Sequence, residues 1–226
     1  MQPNPHQLQP HAAAHPRMAA MRTGTIENPL RLAVFISGSG SGMEALLHYQ
    51  ASNPCLHDTV LVLSNVAGVA GLKKATNFGV DTVVVEIDKS IPDSKVRRES
   101  HEKEIMKLLE KHNIEAVILS GYMRIMSPLF VSVWKGRLLN IHPSLLPKYP
   151  GAHAHKDALA DGATVTGCTV HFVDEGVDSG PIIAQEEVPV MPNDDESTLS
   201  ERVKKVEHIL YPIAIDKFAS GTVKFS

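Results

Sequence analysis

The chain is poor in the features that would mark most alternative classes. Cysteine occurs twice in 226 residues, at Cys55 and Cys168, which excludes a disulfide framework and fits a reducing compartment. Neither sign of charge dominates: 22 basic and 25 acidic side chains leave a net charge of −3. A footprint for nucleic acid or for an anionic membrane surface is therefore absent, and an anionic small substrate would have to be met by a local positive site. No apolar run approaches the roughly 18 residues needed to span a bilayer. Internal repeats and an interdomain linker are also missing. What remains, 43% hydrophobic and 21% charged residues, is ordinary for a globular protein and long enough for one α/β domain with a full core.

Residues 1–29 differ from the rest. They hold Pro3, Pro5, Pro10, Pro16 and Pro29, an alanine patch, and His6, His11 and His15, with no helical or strand period. They are expected to form a disordered tail ahead of a single domain over 30–226, with Met18 or Met21 an equal candidate for the start. Arg17 and Arg22 against one acid, Glu27, give a weak transit-peptide look, but no apolar segment of a secretory signal is present. The expected location is cytoplasmic.

From Leu30 the pattern alternates. Buried-strand runs are expected at 30–36, 59–64, 81–87, 116–121 and 137–140, and helices at 43–52, 69–78 and 94–111. Strands and helices in this order predict a Rossmann-like, mostly parallel twisted sheet with right-handed crossovers and helices on both faces. After residue 151 the alternation is expected to stop. An antiparallel pair over 166–174 and 181–190 follows, with Gly180 and Pro181 at the turn. A last helix over 197–219 carries the stripe Leu199, Val203, Val206 and Leu210, and Pro212 is expected to kink it.

The stretch around which the chain is organised is Asn140-Ile141-His142-Pro143-Ser144-Leu145-Leu146-Pro147-Lys148-Tyr149-Pro150-Gly151. It reads as a strand end breaking into a proline-stiffened loop. Alternation along a strand points Asn140 and His142 the same way and sends Leu139 and Ile141 into the core. Ligand sites of open α/β sheets lie at such ends.

Ser37-Gly38-Ser39-Gly40-Ser41-Gly42 lies between the first strand and its helix. Glycines admit a ligand close to the backbone, and a helix N-terminus offers unpaired N–H groups, so phosphate is the natural guest. No Gly-Lys-Ser/Thr follows, so this is not a P-loop. The third glycine falls one residue early for a dinucleotide fingerprint, and the second strand ends in Ser64-Asn65 rather than an acid. Ser41 with Glu44 also fits a capping box.

Asn140 and His142 together offer an amide donor for a developing oxyanion and an imidazole that titrates near neutrality. An aspartate from the glycine-flanked loop 174–180 would orient and charge that ring; on spacing alone Asp174 and Asp178 both qualify. A metal site from His142, His153, His155 and His171 is the rival chemistry, but no recognised zinc spacing is present, and no metal is expected.

These motifs, with Gly-Tyr-Met-Arg-Ile-Met-Ser-Pro at 121–128, Gly-Cys-Thr-Val-His-Phe-Val at 167–173 and Val-Asp-Ser-Gly-Pro-Ile-Ile at 177–183, resemble the phosphoribosylglycinamide formyltransferase family from about Leu30 onward. The resemblance implies the formyltransferase fold and formyl transfer from 10-formyltetrahydrofolate, the co-substrate, to the amine of glycinamide ribonucleotide in purine synthesis. It implies a catalytic trio of Asn140, His142 and Asp178, preferring Asp178 over Asp174. It puts the substrate phosphate on Gly40, Ser41 and Gly42, and the ribose or glycinamide end on Glu207. Folate contacts fall on Arg98, Met123, Arg124, Ile125, Met126, Asn140 and Asp174. Surface charges at Arg98 and Glu207, core packing of Met123 and Ile125, and an ion pair of Arg124 are the structural alternatives. The family usually has Asn where this chain has Gly42, which removes a side-chain partner but keeps the backbone N–H.

The implied partners are small molecules, with no nucleic acid and no membrane, in a monomer or homodimer. Formyltetrahydrofolate deformylases share the trio but carry an N-terminal regulatory domain, and methionyl-tRNA formyltransferases carry a basic C-terminal domain for tRNA. The transferase is therefore the expected member, with the hydrolase, or a non-catalytic nucleotide-binding module, as the alternative.

Overall fold

The computed structural model describes residues 22–225. The expectations for His6, His11, His15, Met18 and Met21 lie outside the described residues. Seven strands form one mixed sheet in the order β3-β2-β1-β4-β5-β6-β7. β1 (Leu30–Ile36), β2 (His57–Ser64), β3 (Asp81–Val84), β4 (Ala116–Leu119) and β5 (Leu138–His142) are parallel. β6 (Val165–Phe172) and β7 (Ile182–Pro189) add on antiparallel, with a bulge at Val170/His171.

The central strands β1 and β4 are apolar at nearly every position because both faces of the sheet are covered there. β1 is buried at all positions except the half-buried Arg31. On one face α1 (Ser41–Ser52) and α6 (Glu196–Ala219) pack on Leu32, Val34, Ile36 and Leu139 through Leu46, Leu47, Tyr211, Ile215 and Phe218. On the other, α3 (Ser94–Lys111) and α4 (Pro128–Val133) pack on Ala33, Phe35, Leu61 and Val117 through Ile105, Leu109, Phe130 and Val131. α2 (Ala70–Asn77) and α5 (Ala154–Ala160) complete the helices among the described residues. No helix there is long and apolar enough to cross a membrane.

Three expectations are corrected. Residues 22–29, assigned to the tail, lie against the domain: the Arg22 guanidinium makes a two-pronged ion pair with Glu115 (2.6 and 2.7 Å), and the Gly24 N–H donates to the Ala219 carbonyl at 2.8 Å. The alternation does not stop after residue 151, since α5 follows the loop. α1 has no capping box: it starts at Ser41, its N-cap is Gly40 in the left-handed region (φ 62°), and Glu44 pairs with Lys74 at 2.7 Å instead. α6 continues through Pro212 and opens with a capping box of its own between Asp195 and Thr198.

The connection β1–α1–β2 runs to one side of β1, while β4 lies on the other. The crevice outside the carboxyl ends of β1 and β4 is the topological switch point, where open sheets bind ligands.

Candidate active site

Two adjoining cavities open at this end of the sheet. One of about 540 Å³ is lined by Tyr122–Met126, Asn140, His142, Gly151, His171 and the loop 173–178. The second, of about 400 Å³, is lined by Ser37–Gly42, Ser120, His155, Ser200, Lys204, Glu207, His208 and Tyr211. Gly121, Met123, Ile141 and Pro143 border both. Ile141, expected in the core, is only half-buried because it forms part of this shared border.

β5 carries Asn140 and His142 to the boundary. The His142 ring is buried, with Nδ1 3.2 Å from Asp178 Oδ2 and Nε2 2.8 Å from the Tyr149 carbonyl. Each ring nitrogen thus faces an acceptor, and both can be satisfied at once only by the doubly protonated ring. Asp178 adopts φ 51°, a left-handed conformation that Asp tolerates better than most residues. Its Oδ2 also accepts the Gly151 N–H at 2.8 Å. A strained backbone held by its neighbours is common at functional sites.

Asp174, the competing aspartate, does different work. Its Oδ1 accepts from the Gly176 N–H (3.1 Å) and the Ser179 hydroxyl (2.8 Å), which shapes the loop that presents Asp178. The proline loop is fastened from below: the Ser144 hydroxyl donates to the Lys148 carbonyl at 2.6 Å, and Thr169 bridges the Ser144 carbonyl and the Leu146 N–H. The Leu146–Pro147 bond is cis.

His171 was placed only in the rival metal set, and the structure gives it another position. It sits opposite Asn140 in the β5–β6 register, and Asn140 Nδ2 lies 3.3 Å from its Nε2. His171 Nδ1 donates to the Phe172 carbonyl at 2.9 Å, leaving Nε2 as the acceptor. Burial pushes the imidazolium form down, which keeps that acceptor available. His171 Nε2 is also 3.6 Å from Asp178 Oδ1. His153 is exposed, and His155 lines the second cavity. Among the described residues, the group of metal-ligand type whose atoms converge within 4.8 Å is Cys55, His57 and Asp216, at the amino end of β2 and away from both cavities.

Met123, Arg124, Ile125, Met126 and Asp174 all line the first cavity. Met123 and Ile125 are 79% and 66% exposed, so they are not core. Arg124 is half-buried and forms no ion pair among the described residues. Arg98 is half-buried on α3 and belongs to neither lining; α3 anchors itself further along, at His101, Glu102, Ile105 and Leu109.

In the second cavity the first turn of α1 presents uncapped N–H groups beside Lys204. Such a turn attracts an anion. Glu207 faces the same space, and burial pushes its carboxyl up to about 7, with Lys204 opposing. Burial likewise pushes His155 and His208 down.

Comparison with known proteins agrees with this architecture. The family described as formyl transferase matches residues 30–215. The phosphoribosylglycinamide formyltransferase of Escherichia coli (strain K12) is 40% identical over 195 residues, 86% of this chain and 90% of that protein. The trifunctional purine biosynthetic protein adenosine-3 of Drosophila melanogaster is 46% identical over 87% of this chain, which spans 14% of that protein's length. A crystal structure of the Brucella melitensis phosphoribosylglycinamide formyltransferase superposes with a TM-score of 0.78 at 43% identity, covering 88% of this chain and all of that one.

Proposed function

Because this chain belongs to the formyl transferase family, we propose that it transfers a formyl group from 10-formyltetrahydrofolate to the amine of glycinamide ribonucleotide, a step of purine synthesis. The observation that carries the reading is the position of Asn140 and His142. They line the apolar cavity next to Ile141 and Pro143, which border the anion-seeking cavity as well, with Asp178 against the imidazole. A reaction between a flat, largely apolar donor and a phosphorylated acceptor needs such a junction, because reacting atoms must be held about 3–3.5 Å apart.

The nucleotide phosphate is assigned to Gly40, Ser41 and Gly42, where uncapped amides and Lys204 favour an anion. Glu207 is assigned to the ribose or glycinamide end. The folate is assigned to the cavity of Met123–Met126 and Asp174. Arg98 is left out of that assignment, since it lies in neither lining.

Attack of the amine on the formyl carbon would create a tetrahedral centre with a negative oxygen. Asn140 has one amide hydrogen engaged with His171 and a second to give that oxygen. Both nitrogens of His142 are occupied in this geometry, so its contribution is charge at short range rather than a direct bond. Asp178 holds that charge in place. One proton leaves the attacking nitrogen and one reaches the departing folate nitrogen, so none is consumed; Asp178 is the group placed to pass it through water. No step calls on a metal ion.

We assign the reaction to a single domain to which residues 22–29 are fastened, with the free thiols Cys55 and Cys168 supporting a reducing, cytoplasmic setting. The test is release of tetrahydrofolate, or of a dideaza analogue, followed by absorbance with and without glycinamide ribonucleotide. Release that depends on the nucleotide is expected. Release without it would make the protein a hydrolase, and tight binding with no release would make it a binding module.

A further inference from the structure

Gly42 and Ser120 are 78 positions apart in sequence but compete for one place in the fold. Gly42 is the second residue of α1, and a Cβ added there would lie 2.7 Å from the Ser120 hydroxyl oxygen, with no other heavy atom within 4 Å. Ser120 directly follows β4, and its N–H donates to the Phe35 carbonyl at 2.9 Å, so its backbone is fixed by the sheet ladder. Its side chain lines the second cavity and is 8% exposed. The described residues give this hydroxyl no hydrogen-bond partner. The residue is almost wholly buried and the cavity is the space its hydroxyl opens onto, so that is where a partner can reach it.

The surroundings say what the missing partner is. The turn at Gly40 is not capped by any side chain, so the amides opening α1 also face the cavity without partners. Unmet donors from two chain segments converge, and Lys204 lines the same cavity. Donors without acceptors, beside a cation, call for an anion with several oxygens.

We propose that Ser120 is a ligand of the nucleotide phosphate, and that Gly42 is the residue that admits it. The hydroxyl stands where a side chain at position 42 would otherwise reach the phosphate, so the two positions form one coupled unit. This inference rests on the reading of the second cavity as the phosphate site.

The test is titration of the whole chain with inorganic phosphate, and steady-state kinetics with glycinamide ribonucleotide. Ser120→Ala is expected to weaken phosphate about tenfold and to raise the nucleotide KM by a similar factor, with kcat changing far less and the melting temperature unmoved. Gly42→Ala, which improves helix propensity, pushes the serine aside and is expected to cause the same loss. The double variant Gly42→Ala/Ser120→Ala should be no worse than either single one, since both remove one interaction. Gly42→Asn/Ser120→Ala should recover binding, because the vacated space accepts an amide donor. Phosphate and nucleotide binding unchanged in Ser120→Ala, or losses in the two single variants that simply add, would overturn the proposal while leaving the phosphate site standing. Failure of the unaltered chain to bind either ligand would remove the phosphate site itself, and this inference with it.

Discussion

Asn140 and His171 face each other across the β5–β6 ladder, and the amide nitrogen of one lies 3.3 Å from the ring acceptor of the other. The histidine thereby decides where the second amide hydrogen points. Removing it should misdirect the donor without unfolding the strand. His171→Ala is expected to lower turnover about tenfold, less than deletion of the donor itself, and His171→Gln, which keeps an acceptor, should recover part of it. A pre-steady-state measurement of the chemical step would check this, and equal turnover in His171→Ala and the parent would refute it.

Loss of an oxyanion donor typically costs about 10²–10³ in turnover. Asn140→Ala and Asp178→Asn should each lose at least about two decades while remaining folded. The second substitution is a clean probe, because Asn tolerates the left-handed backbone at φ 51° and can still accept the Gly151 N–H. Circular dichroism alongside the assay separates lost chemistry from lost structure.

Glu207 predicts a pH dependence of stability. Its carboxyl is raised by burial to about 7, above the ordinary range near 4.5. Between those values the folded chain binds a proton that the unfolded chain releases, so the stabilisation is complete at low pH and is lost as pH rises through about 7. The whole effect should be of order 1–3 kcal/mol, given partial access of water through the cavity. Glu207→Gln should flatten the melting temperature between pH 5 and pH 8 and leave the variant more stable than the parent at the alkaline end. An unchanged slope in thermal melts of the ligand-free protein would contradict the assignment.

Glu102 is buried on α3, and its carboxylate accepts both the N–H (2.7 Å) and the hydroxyl of Ser127, the cap of α4. It therefore ties down the end of the loop whose residues 122–126 line the first cavity. Glu102→Ala should destabilise the fold by about 1.5–3 kcal/mol, the range for a hydrogen bond to a charged group. It should also raise the KM for the formyl donor more than that for the nucleotide. Equal effects on the two KM values would mean that the loop is held by other contacts.

The elements that could be read in the sequence are those whose own residues determine them. β1 and α3 have the expected bounds, because an unbroken apolar run and an Asp93-capped polar helix carry their signals locally. α4 and α5 span only 6 and 7 residues, too few for a helical period to emerge; α4 is held by the core through Phe130 and Val131, and α5 by its contact with α6. β3 ends at Val84 rather than 87 because its pairing with β2 stops there. Asn140, His142 and Asp178 were legible through motifs. The partnership of Asn140 with His171 was not, since it depends on the register of an antiparallel strand added beyond β5. Ser41 looked like a cap because Ser-x-x-Glu is a local pattern, but Gly40 in the left-handed region begins the helix one residue before that pattern can close.

The second cavity draws its floor from the first loop of the chain, Ser37–Gly42, and one wall from α6, its last helix. On a ribosome the floor therefore emerges long before the wall. A nascent chain that has assembled its central strands still lacks Lys204 and Glu207, and the cavity is then only an open shelf. On the assignment proposed above, a ligand of the second cavity would bind and stabilise only those chains whose last helix has reached its place.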